Sequence, residues 1–166
     1  MSDQIVRVDA LLPVEIARKA EEIGYRKAHL DNLTVFALAV LAGAFISLGG
    51  IFSTTTAAGM GTVPFGIARL LIGFVFSLGL ILVVVGGAEL FTGNTLIVMA
   101  WASGRIKLRD LLRNWTLVYL GNFVGSVITA GLMFVAGQHT FGNGVVGATA
   151  LSLANTKVNY PFGQAL

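Results

Sequence analysis

Between Arg69 and Arg105 lie 35 residues, LLIGFVFSLGLILVVVGGAELFTGNTLIVMAWASG, with a single charged side chain, Glu89. A bilayer core takes about 20 apolar residues per helix, so this run is too long for one span and too short for two. The apolar part before Glu89, Leu70 to Ala88, is 19 residues and can cross. The apolar piece after it, Thr95 to Ala102, cannot. A carboxylate and a Thr92-Gly93-Asn94 turn separate the two. Gly and Asn tolerate the backbone angles that end helices, and a threonine hydroxyl can satisfy a freed backbone group. The spacing therefore predicts a helix broken at membrane depth, with a non-helical loop over residues 89–95. Irregular backbone survives there only if buried in protein or lining a water-filled cavity, and broken helices are where transporters hold their substrates. The competing expectation is a full span followed by a short interfacial helix, with Glu89 at the membrane edge.

Composition agrees with a membrane location. The chain is 55% hydrophobic and 11% charged, where soluble domains carry about 25% charged residues. The fold class expected is an all-α membrane protein. With no cysteine, neither a disulfide nor a thiolate metal site is available. The first 32 residues are polar and lack the apolar core of a signal peptide. The pI of 9.6 does not indicate nucleic acid, because the basic residues flank apolar spans.

Residues 1–32 hold eleven of the nineteen charged residues. Pro13 suits a first helical turn, and Ile16, Ala20, Ile23 and Leu30 follow helical spacing, with Arg18, Lys19, Glu21, Glu22 and Arg26 on other faces. This reads as a cytoplasmic amphipathic segment at the membrane surface or against a pore mouth. Leu33 to Phe52 makes a first span rich in small residues, which let helices approach in lipid. The connection from Ser53 to Pro64 has no Lys or Arg, whereas residues 103–114 carry Arg105, Lys107, Arg109 and Arg113. Trp115 to Gly137 is the third span and contains a G-x-x-x-G spacing at Gly121 and Gly125. Residues 33–137 thus hold three spans, and residues 138–166 read as an extracytoplasmic Gly- and Asn-rich loop leading into a fourth. Lys/Arg-rich loops face the cytoplasm, so the amino terminus is expected inside a multi-pass inner membrane.

Several motifs in order, Leu11-Leu12-Pro13, MGTVPFGIARLLIGFVFSLGLILVVVGGAELFTGN, ASGRI, NWTLVYLGNFVGS and NTKVN, resemble the formate/nitrite transporter family of anion channels, formate channels in particular. The resemblance covers essentially the whole chain. It implies an aquaporin-like helical bundle of six spans in two inverted repeats, assembled as a homopentamer, with about three spans and the opening of the fourth present here. It also implies an apolar pore constriction of Phe76, Leu80, Leu90 and Phe91, and contacts to the anion from Thr92 and Lys157. Glu89 and Asn94 are expected to stabilise the loop, Glu89 by accepting hydrogen bonds from amides of residues 91–94, since an ionised carboxylate lining an anion pore would repel its cargo. The histidine and asparagine central to the family belong to its second half, and His139 does not match that histidine's context.

The chemistry limits how an anion passes an apolar slit. Bringing a carboxylate into dry protein costs of order 20 kcal/mol by an idealised Born estimate, whereas one hydrogen bond to a charge returns about 1.5–3 kcal/mol. Either the broken helix's amides share the charge, or the anion crosses as the neutral acid after taking a proton. Formate and protons are therefore the expected partners, with membrane lipid around the bundle. Nitrite or hydrosulfide as cargo, or a non-conducting scaffold or accessory subunit, are the alternatives. Catalysis would need clustered nucleophiles, bases or metal ligands in the spans, which hold one carboxylate and neither histidine nor cysteine. No catalytic residue, metal or cofactor is assigned. Paired Asn-Pro-Ala half-helices of a neutral-solute channel are also missing.

Overall fold

The computed structural model describes residues 12–165. Residues 1–11, part of the amino-terminal segment and including Leu11 of the first motif, lie outside the described residues, as does Leu166.

Helix α1 (Pro13–Ala28) starts with proline in its first turn, and the Glu15 carboxylate accepts a hydrogen bond from the Leu12 amide at 2.9 Å. Its buried residues are Gly24 and Ala28, and it packs on residues 95–102. The expected apolar stripe divides: Ile16 and Ile23 stay exposed, Ala20 is half-buried, and Leu30 packs on Val35, Ala39 and Val118. Close approach decides the face, because a Cβ on Gly24 would stand 3.2 Å from that of Ala100.

Helix α2 (Asn32–Ala57) is capped by Asp31, which accepts from the Thr34 amide at 2.9 Å. It runs beyond Phe52 because Ser53, Thr54, Thr55 and Thr56 turn their hydroxyls back onto carbonyls of residues 50–52. Those bonds satisfy the side chains without water, so a polar stretch continues the helix instead of ending it. Helix α3 (Phe65–Val85) follows Pro64.

The break comes earlier than the spacing predicted. Gly87 is left-handed, at φ 61°. The amide of Ala88 reaches the carbonyl of Val83 at 3.0 Å and that of Gly87 reaches Val84 at 3.3 Å. This is the Schellman termination that glycine permits at low cost. The non-helical stretch is Gly86 to Leu90, and Thr92, Gly93 and Asn94, expected as a turn, are helical. The chain resumes as α4 (Phe91–Asn94), passes through a 3₁₀ turn at Thr95–Ile97, and ends as α5 (Val98–Ala102).

Helix α6 (Leu108–Val135) begins well before Trp115, so Arg109 and Arg113 are helical rather than in a loop. The supposed loop after it is likewise partly ordered, as α7 (Val145–Val158), before α8 (Phe162–Ala165). Helices α2, α3 and α6 are long and apolar enough to cross a membrane. Helix α2 is the centre, packed against α6 and α3. Gly121 and Gly125 of the G-x-x-x-G pair lie against Ala39 and the backbone of Phe36 and Val40, while Gly43 meets the backbone of Asn122. Small residues on both helices thus let the backbones touch. The outer face of α3 (Leu70, Phe74, Ile81, Val84, Val85) is left uncovered.

Candidate functional site

The break is held by side chains from three other elements. Glu89 is 4% exposed. Its Oε1 accepts from Lys27 Nζ at 2.8 Å and its Oε2 from Asn94 Nδ2 at 2.6 Å. Lys27 also donates to Asn94 Oδ1 at 3.0 Å. The second hydrogen on Asn94 Nδ2 reaches Asn114 Oδ1 at 2.9 Å, and Asn114 donates to the Lys27 carbonyl at 3.3 Å. The network closes on itself. Its charges are opposite and adjacent, as burial requires, and both amides are fully buried.

A second brace fixes the extended backbone. Asn122 Oδ1 accepts the Phe91 amide at 2.9 Å, and its Nδ2 donates to the carbonyls of Glu89 (2.9 Å) and Ala39 (2.8 Å). The Glu89 amide donates to Leu38 O at 3.2 Å, and Trp115 Nε1 to Asn94 O at 2.9 Å. The Glu89 amide, the Glu89 carbonyl and the Phe91 amide, freed by the break, are therefore paired inside the protein, as irregular backbone at membrane depth requires.

The expected Glu89 partners need correcting. Side chains of Lys27 and Asn94, not amides of residues 91–94, donate to its carboxylate. The Phe91 amide is taken by Asn122 and the Asn94 amide by Leu90 O. Lys27, Asn114 and Asn122 were not singled out from sequence. A signal was present: Asn114 and Asn122 stand eight residues apart in a span, close to one helical face, where a carboxamide in lipid needs a partner.

The residues expected to line a pore divide into two sets. Leu90 packs on Ala42, Val83 and Ala88. Phe91 packs on Val35, Ala39 and Val118 and meets Tyr119 and Trp115 edge-on at 5.6 and 6.2 Å between ring centres. Phe76 and Leu80, one turn apart on α3, are 41% and 51% exposed and lie outside the buried clusters. Thr92 is exposed beside the break, and Lys157 is exposed in the last turn of α7. No group of three or more His, Asp or Glu able to hold a metal occurs among the described residues.

The formate/nitrite transporter family model matches residues 14–166. Over 158 residues the chain is 48% identical to Formate channel FocA of Escherichia coli K12, covering 95% of this chain and 55% of that one. Identity to the protein of the same name in Haemophilus influenzae is 41% over 156 residues, covering 94% and 55%. Among solved structures, a pentameric formate channel with formate bound superposes with TM-score 0.74 at 41% identity, covering 79% of this chain and 51% of that one. The chain thus spans about half the length of the relatives it matches.

Proposed function

Because the chain belongs to the formate/nitrite transporter family, we propose that it supplies the first-half wall of a homopentameric membrane channel for small monovalent weak-acid anions, formate first among them. The names of its relatives, a formate channel at 48% identity and a pentameric structure with formate bound, support cargo and assembly. The observation that carries the mechanism is the braced break: Glu89 is neutralised by Lys27 and saturated by Asn94, while Thr92 beside it is left exposed.

In this reading Glu89, Asn94 and Asn122 hold the break rigid and present no free negative charge to the cargo. The Thr92 hydroxyl meets the anion between Leu90 and Phe91 on one side and Phe76 and Leu80 on the other. One hydroxyl returns about 1.5–3 kcal/mol, far below the cost of drying a carboxylate. Passage is therefore proton-linked: Lys157 helps gather the anion outside, and the neutral acid crosses the apolar slit. The amino-terminal side is cytoplasmic, following the excess of Lys and Arg on α1 and the start of α6.

Uptake into proteoliposomes tests this. Formate flux should rise as external pH falls, and chloride should not pass. Formate flux independent of pH, with chloride passing equally, would remove the protonation step. No uptake of formate, nitrite or hydrosulfide by the full-length protein would leave a scaffold.

A further inference from the structure

At the end of the bundle where α1 docks, the first turns of α6, with Asn32 at the start of α2, line a shallow open groove of about 650 Å³. Leu108, Leu112 and Leu117 make it apolar, and Arg109, Arg113 and Thr116 give it a polar edge. Arg109 and Arg113 are four residues apart, one above the other on a helical face. Among the described residues neither pairs with a carboxylate. The nearby acids are engaged elsewhere: Asp110 accepts from the Lys107 amide at 3.2 Å, and Asp31 from the Thr34 amide.

Arg113 donates to Asn32 Oδ1 (2.9 Å) and to the carbonyls of Ala28 (2.7 Å) and Leu30 (3.0 Å). Its Nε is buried without an acceptor. The helix-end carbonyls of α1 carry partial negative charge but no formal anion. Two arginines beside an apolar groove therefore lack a counter-ion among the described residues.

Their depth says what could supply it. At about 1.5 Å per residue, the 28 residues of α6 extend about 42 Å, against a hydrocarbon core of about 30 Å. The surplus turns lie at headgroup level, where phosphates are found. Basic pockets between spans at that level suit anionic lipid headgroups.

We propose that this groove binds an anionic phospholipid, its phosphate held by Arg109 and Arg113 and one acyl chain laid over Leu112 and Leu117. Arg109 orients the headgroup without structural duties, since it is exposed and makes no hydrogen bond among the described residues. Arg113 both holds α1 and faces the lipid.

The test is lipid retention by the full-length protein in detergent, read by native mass spectrometry with added phosphatidylglycerol or phosphatidylcholine. Wild-type protein should retain phosphatidylglycerol in preference. Arg109→Gln should weaken that retention about fivefold and leave phosphatidylcholine unchanged. Arg69→Gln, at the opposite end of the bundle, should change neither. Equal retention of the two lipids by wild type, or unaltered phosphatidylglycerol retention in Arg109→Gln, would overturn the proposal. So would a change of oligomeric mass in Arg109→Gln at constant lipid retention, which would mean that a second copy of the chain covers the groove.

Discussion

Glu89 is the residue on which the break depends, and its neighbours make the dependence measurable. Glu89→Gln keeps the side chain's shape but leaves Lys27 charged and partnered only by amides. Breaking a buried pair from one side costs about 3–5 kcal/mol, so the variant should lose thermal stability in detergent. Lys27→Met should do the same, and the double variant should recover much of the loss, since an uncharged pair leaves no orphan ion. Additive losses would show that the two side chains do not interact. Asn122→Ala should also destabilise, because it orphans the Phe91 amide and the Glu89 carbonyl together; buried groups left unpaired cost about 1–3 kcal/mol each.

At the scale of elements, two contacts carry the packing. A Cβ on Gly125 would stand 2.9 Å from the carbonyl carbon of Val40 and 3.0 Å from the amide nitrogen of Ala44. Backbone cannot yield as a side chain tip can, so Gly125→Ala should cost about 1–3 kcal/mol by overpacking, and more with valine; unchanged stability would mean that α2 and α6 do not touch there. The docking of α1 should depend on acid. Arg105 first, and then Arg26, hold the Glu22 carboxyl below the ordinary glutamate range. A carboxyl lowered on folding stabilises above its unfolded value of about 4.3 and loses that contribution as pH falls through the folded value. Protection of the α1 amides, with exchange corrected for its intrinsic pH dependence, should thus stay constant from about pH 8 to 5 and fall below about 4. A fall already near neutrality would assign it to another group. These elements also show what a sequence conveys. Apolar length conveys three spans, and the paired glycines a closely packed face on the third, but not that α2 is the helix it meets. The spacing anticipates the break but places it a turn late, because Thr-Gly-Asn looks like a terminator, while left-handed Gly87 lets its own amide and that of Ala88 make the Schellman bonds. The braces were missed because Lys27 and Glu89 lie 62 residues apart, and only tertiary packing brings them together.

At the scale of the molecule, α2 is enclosed by neighbours while α3 turns Leu70, Phe74 and Val84 outward with Phe76 and Leu80. The chain spans about half of its relatives' length. Of the side chains proposed to line a pore, Leu90, Phe91 and Thr92 lie together at the break, whereas Phe76 and Leu80 are exposed on α3. Everything proposed for transport depends on whether the break opens to water. Thr92→Cys, in full-length protein free of other cysteines, measures this directly with a small charged thiol reagent added to proteoliposomes. We expect modification from the aqueous phase, slowed by formate and followed by loss of formate flux. A cysteine that ignores the charged reagent and reacts only with a membrane-soluble one would contradict the account.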